Sequence, residues 1–289
     1  MDDVSGQAQR PREDAPTPDA LAARRDMLSE ALDIIDVARE RRVTLRLFGG
    51  LAVRTHCSVV DFCERDYSDI DMVGRRGQAV DIGRLFADLG YQENHNVRFA
   101  THGRQLQFFR ECEHPDSTYH YFIHPDDHVD VFLDTFRMDH DVPLKDRLDI
   151  ERYTISLTDV LLTKLQVNRI NAKDVRDIVT LLKDVPLGET DDPGVINATY
   201  IARLCAEDWG LHHDVVAALA ATSAALGEHE LDDEQRRRVT AAVESLRAAI
   251  DAAPKSRAWR RRAKVGERKP WSNLVEGQEG DDHGRPLSG

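Results

Sequence analysis

The 289 residues contain little of what a membrane or an oxidising compartment demands. No apolar run approaches the ~18 residues of a membrane-crossing helix. Residues 1–18 are acidic and proline-bearing, without the basic and apolar blocks of a secretion signal. The four cysteines, Cys57, Cys63, Cys112 and Cys205, include no CxxC spacing, which argues against both a disulfide framework and a zinc site. Positive charge is also in deficit. A formal net charge of −13 disfavours indiscriminate binding to nucleic acid. What remains is the composition of a soluble globular protein, 41% hydrophobic and 31% charged, with the cytoplasm as its expected setting. The length suits one large domain or two modest ones.

What is present is concentrated in two short stretches. Leu47-Phe48-Gly49-Gly50 reads as a strand that breaks at two glycines, and a helix-forming run follows. Backbone N–H groups freed at such a turn suit an anion. Further on, Ser68-Asp69-Ile70-Asp71-Met72 places two carboxylates at i and i+2 of a strand, so both stand on one face while Ile70 and Met72 turn inward. Carboxylates that close repel unless a cation separates them, and oxygen ligands beside a phosphate are how Mg²⁺ is held. A third candidate, Asp130 in His128-Val129-Asp130-Val131-Phe132, lies on another strand. Transfer of a nucleotidyl group needs metal ions that bridge triphosphate oxygens and activate a hydroxyl, and three neighbouring carboxylates would supply their ligands.

The patterning divides the chain near residue 150. Residues 1–18 read as disordered, and an amphipathic helix is predicted from Asp19 to about Arg41. Val43–Phe48 and Asp69–Val73 read as strands, with helices at Gly50–His56 and Gln78–Leu89. Val97–Ala100, Gln105–Phe109, Tyr119–Ile123 and Val129–Leu133 are four more strand-like runs. From Ser156 the period becomes helical, over roughly 157–169, 173–183, 194–207, 212–226 and 232–252. The expectation is an α+β fold: a core at 19–150 with a small mixed β-sheet flanked by helices, then an all-helical part at 151–254. A basic and then Gly-rich tail at 255–289 is partly disordered.

Taken together, Leu47-Phe48-Gly49-Gly50, Arg65-Asp66-Tyr67-Ser68-Asp69-Ile70-Asp71-Met72 and Val129-Asp130-Val131-Phe132 resemble the nucleotidyltransferase superfamily that includes DNA polymerase beta. The resemblance implies Mg²⁺, as two ions, held by Asp69, Asp71 and Asp130. It also implies an NTP substrate whose triphosphate contacts Gly49 and Gly50. Arg65 would neutralise a phosphate or the acids, and Ser68 would bond the γ-phosphate or cap the strand end. Within the helical part, Lys164 interrupts the apolar stripe Leu157, Val160, Leu161, Leu165, where an ammonium needs a partner or an anion. The run from Thr163-Lys164-Leu165-Gln166 to Lys173-Asp174-Val175-Arg176-Asp177-Ile178 resembles the abortive-infection nucleotidyltransferases, toxins of some type IV toxin–antitoxin systems. That likeness gives Lys164 a phosphate-binding role and Asp177 a catalytic or structural one. It also implies an antitoxin as a partner.

The remaining signals are weaker. Between Lys255 and Lys269 eight Lys/Arg face one Glu, interleaved with Trp259 and followed by Trp271. Such a segment either grips RNA or packs its tryptophans back on an acidic body. His114, His120, His124, His128 and His140 gather around the third acid without zinc spacing and read as surface residues. Asp134 and Asp139-His140-Asp141 read the same way, and Trp209 reads as core. The function expected is Mg²⁺-dependent transfer of NMP from an NTP to a hydroxyl acceptor. The acceptor is an RNA such as tRNA, a small molecule such as an antibiotic, or a protein; a non-catalytic nucleotide-binding module is the reading from a different class.

Overall fold

The computed structural model describes residues 27–59, 62, 67, 69–110 and 128–273. The expected runs at 1–26, the strand Tyr119–Ile123, Arg65, Ser68, Cys63, Cys112, His114, His120, His124 and the Gly-rich end after 273 lie outside them. The chain opens on helix α1 (Met27–Glu40), which buries Ala31, Ile34, Ile35 and Ala38 at helical spacing. Strand β1 (Leu45–Leu47) and the seven-residue helix α2 (Gly49–Thr55) follow. Next come β2 (Asp69–Gly74), α3 (Ala79–Asp88), β3 (Gln92–Glu93), α4 (His95–Ala100), β4 (Gln105–Phe109) and β5 (His128–Leu133). The sheet runs β1-β2-β5-β4-β3. Among the described residues of this sheet only the β2–β5 pair is parallel; β1–β2, β5–β4 and β4–β3 are antiparallel.

A small hairpin, β6 (Thr135–Arg137) and β7 (Asp141–Pro143), leads out of the sheet. The helical part comprises α5 (Leu157–Leu165), α6 (Ala172–Asp184), the short parallel pair β8 (Leu187–Gly188) and β9 (Ile196–Asn197), α7 (Ala198–Glu207), α8 (Trp209–Ala225), α9 (Asp233–Ala252) and α10 (Arg257–Ala263). The helices start where side-chain caps are available: Ser156, Asn171, Asn197, Asp208, Asp232 and Ser256 each accept from an N-terminal N–H. Among the described residues, no helix is long and apolar enough to cross a membrane.

The predicted α+β architecture is the one observed, with two differences. Val97–Ala100 is helical rather than extended. The Asn94 side chain accepts from Asn96 N and caps α4, and this local bond outweighs the strand preference of Val97 and Phe99. The junction near 150 does not separate two cores. Leu47 N donates to Tyr153 O and Ile155 N to Leu47 O, so residues past 150 line the outer edge of β1, and one continuous apolar cluster runs from Ala31 to Ile250. Residues 255–273 follow the second of the two readings of the basic segment, docked on the body through a tryptophan. Trp271 Nε1 donates to Asp214, and Asn273 N to Asp139 O at 2.8 Å, which straps the C-terminal segment across α8 and the β6–β7 turn.

Candidate active site

Asp69, Asp71 and Asp130 come together because the two strands that carry them are parallel neighbours. Asp71 is the register partner of Asp130, and Asp69 that of His128. Along β5 and the first four residues of β2 half-buried and buried residues alternate. Asp69, Asp71, His128, Asp130 and Phe132 therefore share one face, with Ile70, Met72, Val129 and Val131 in the core behind them. The next residue on that face, Phe132, packs edge-on against Phe48 and Phe136, with ring centroids 5.4 and 5.1 Å away.

Gly49 meets this cluster at backbone level. Its φ is +68°, a conformation costly for any residue with a Cβ, and a Cβ placed there would overlap Asp71 Oδ2. Phe48 N also donates to Asp71 O at 3.0 Å. The first glycine of the pair is thus required twice, by its dihedral and by the closeness of a carboxylate. Gly50 sits in the first turn of α2 with an ordinary conformation.

The electrostatics follow from crowding. Burial and the nearby charges of Asp69 and Asp130 push Asp71 up to about 8, against the opposing pull of Lys164 and His128. Lys164 comes from α5, where it is the one residue not fully buried. Its Nζ pairs with Asp174 Oδ1 at 3.0 Å and Asp177 Oδ2 at 2.9 Å, both from the facing helix α6. Asp177, expected in a catalytic or a structural role, is buried and holds the lysine. Among the described residues no three His, Cys, Asp or Glu side chains form a preformed cation cage. The donor chemistry still fits a hard cation. Three carboxylates on one face, one of them driven towards neutrality by the others, gain most from a divalent ion drawn between them.

The expectations for histidines and outlying acids need correction. His128 is not a free surface residue; its Nε2 lies 3.2 Å from Asp130 Oδ2. His140 and Asp139 are buried, with His140 Nε2 2.7 Å from Asp214 Oδ2 and Asp139 Oδ2 accepting from Asn168 N. Asp134 occupies a corner at φ +65°, where its Oδ1 accepts from Arg76 N and its backbone O from Leu144 N and Lys145 N. Trp209 starts α8 at a half-buried position, with Arg262 over its ring at 4.8 Å, rather than lying in the core. His128 pairs two residues along its own strand, whereas His140, Asp139 and Asp134 found partners distant in sequence, of which short-range spacing carried no sign.

Two residues at the site escaped sequence reading altogether. Gln105 and Gln107 on β4 both direct Nε2 at Asp130 Oδ1, at 3.0 and 3.1 Å. Their i, i+2 spacing beside a strand bearing the third acid was the available signal.

No protein-family model matches this chain, and no curated protein matches it by sequence. Two solved structures are similar in shape at 13% identity. One is the solution structure of the antibiotic-resistance factor ANT(2'')-Ia, with TM-score 0.36 over 70% of this chain and 94% of that one. The other is an antigenic nucleotidyltransferase-like protein from Paracoccidioides brasiliensis, with TM-score 0.38 over 81% and 95%. At such values the likeness carries no weight for activity, which is read instead from the side chains above.

Proposed function

We propose that the protein is a Mg²⁺-dependent nucleotidyltransferase. An acceptor hydroxyl oxygen bonds to the α-phosphorus of an NTP as the bond to the bridging oxygen breaks. NMP is transferred and pyrophosphate leaves. The observation that carries this reading is the pairing of Asp71 with Asp130, with Asp69 two residues along the same face. Mg²⁺ held by Asp69, Asp71 and Asp130 would supply Lewis-acid stabilisation to the phosphate oxygens and lower the pKa of the attacking hydroxyl. The chain's own groups orient and balance charge. Lys164, steered by Asp174 and Asp177, brings a cation to the edge of the acid cluster for the triphosphate. Gly49 lets the backbone approach the same space. Arg65 and Ser68 lie outside the described residues, and their expected phosphate contacts rest on the sequence resemblance alone.

The reading is tested with α-labelled NTPs, Mg²⁺ and total cellular RNA or candidate small molecules. Label should move to an acceptor with the natural chain and fall on the order of 10³-fold in an Asp69→Ala/Asp71→Ala variant. Undiminished transfer by that variant would end the proposal, and binding of NTP without transfer to any acceptor favours the non-catalytic module.

For the acceptor, the C-terminal strap supports RNA over a small molecule or protein. Arg257, Arg260, Arg261, Lys264, Arg268 and Lys269 are all exposed on it, a basic face on an acidic protein. The tryptophans take no part in that face: Trp271 bonds Asp214, and Trp259 packs against His212 at 5.2 Å. The grip would thus be on phosphates, not stacked bases. Because the strap is also a structural clasp, the test is substitution rather than deletion. Arg257→Ala/Arg260→Ala/Arg261→Ala should cut labelling of RNA and its salt dependence together, while a toxin-like role additionally requires that expression arrest growth and that an antitoxin relieve it.

A further inference from the structure

The Asp130 carboxylate is unusually fully engaged. Gln105 Nε2 and Gln107 Nε2 both donate to Oδ1, and His128 Nε2, facing a group that only accepts, donates to Oδ2. An ionised carboxylate offers about four lone-pair sites. Two on Oδ1 are taken by amides and one on Oδ2 by imidazole, so one site on Oδ2 remains.

The amides are themselves held. Asn94 Nδ2 donates to Gln107 Oε1 at 2.8 Å, which fixes the Gln107 amide with its NH₂ towards Asp130. Asn94 is pinned in turn, because its N donates to Gln107 O at 2.8 Å and its Oδ1 caps α4 at Asn96 N. Gln105 is anchored through its backbone: Gln105 N donates to Thr101 Oγ1 at 3.2 Å, and that hydroxyl donates to Val97 O at 2.8 Å. Helix α4 and strand β4 therefore form a brace whose two glutamines reach into the acid cluster from the neighbouring strand.

We propose that Gln105 and Gln107 are positioning residues that consume Asp130 Oδ1 and leave only Oδ2 for a divalent cation, which restricts Asp130 to one-oxygen ligation. This rests on the nucleotidyl-transfer reading only in assuming that the acids bind a cation. Outer partners of metal-binding carboxylates commonly account for a 10–100-fold change in affinity when removed. Loss of both amides would free the carboxylate to rotate and to spread its charge over two oxygens.

The test is Mn²⁺ titration of the full chain followed by electron paramagnetic resonance, without NTP or acceptor, so that its outcome is independent of any transfer assay. Gln105→Met/Gln107→Met keeps side-chain volume and removes both donors. Its Mn²⁺ dissociation constant should rise about tenfold or more. In an Asp130→Asn background the same pair of substitutions should change it by less than about twofold, because the residue they position is already neutral. A structural role alone would weaken binding equally in both backgrounds and overturn the proposal, as would unchanged affinity in the natural background. Asn94→Ser provides a variant that keeps the helix cap but loses the donor to Gln107. It should weaken Mn²⁺ binding by less than the double variant and have no effect once Gln107 is Met. An effect that persists in Gln107→Met contradicts the relay. Failure of the natural chain to bind Mn²⁺ overturns it too, whereas Mn²⁺ binding with no NMP transfer tells against the proposed reaction and leaves the brace standing.

Discussion

Asp71 in the sheet and Asp214 beneath the C-terminal strap are the same side chain in opposed surroundings. Asp71 shares its face with two other acids, and burial together with their charge pushes it up to about 8. Asp214 is also buried, and burial alone would raise it. However, it accepts from His140 at 2.7 Å, from His213 at 2.9 Å and from Trp271 Nε1 at 2.9 Å, which hold it below the ordinary carboxylate range. One cluster has too much negative charge for its donors, the other has donors to spare. The first is costly to fold, a cost that the proposed cation would relieve; the second fastens the chain.

The sharpest way to break the contrast is to neutralise each acid. Asp71→Asn should cut NMP transfer on the order of 10³-fold, yet raise Tm by about 2–4 °C because a repelling charge is gone. A fall in Tm would show that Asp71 is as well satisfied as Asp214. Asp214→Ala should do the reverse. It leaves His140, His213 and Trp271 without their shared acceptor, and urea unfolding should register a loss of about 3 kcal/mol, with transfer per folded molecule retained. Gly49→Ala forces a Cβ into a left-handed conformation and against Asp71. A loss of about 2 kcal/mol, with transfer reduced about tenfold or more, is the outcome to look for by the same two measurements.

The smallest effect concerns pH. His213 is raised: burial lowers it, but Asp214 and Glu267 outweigh burial. Its contribution to the clasp is fully present below about pH 6.5 and is lost as pH rises through the raised value. Asp214, being depressed, contributes above about pH 4 and fails only in stronger acid. The strap should be tightest between those limits. Tryptic cleavage within residues 255–269 should accelerate modestly as pH climbs beyond 6.5, and a rate that is flat or falling after correction for trypsin's own pH dependence would exclude the mechanism.

How far these two clusters could be read from the sequence depended on how local their signals were. Asp69 and Asp71 announce themselves by strand periodicity, and Asp130 by the same alternation on a second strand. Lys164 stood out as a charge in an apolar stripe, and the ion pairs to Asp174 and Asp177 are its physical explanation. Gln105 and Gln107 carry no charge and alternate like any half-buried strand positions, so nothing marked them before β4 was placed beside β5. His140 and Asp214 are separated by most of the helical part, and their pairing has no local imprint. Val97–Ala100 went astray because an asparagine cap, Asn94, just upstream of it decided the conformation that its own side chains did not.

The parallel pairing of β2 with β5 also sets an order of events during synthesis. Asp71 and Asp130 lie roughly 60 residues apart in sequence, and a parallel neighbour cannot be supplied by a hairpin. A nascent chain that has emerged only as far as β4 has its Asp-Ile-Asp strand and its two glycines but no partner strand between β2 and β4, and Lys164 is still to come. Asn273, which fastens to Asp139, arrives last of the described residues. The acid cluster and its lysine are thus not assembled until α6 has been made, so a fragment ending at β4 would carry the Asp-Ile-Asp strand and the two glycines without the strand that sets Asp130 beside them.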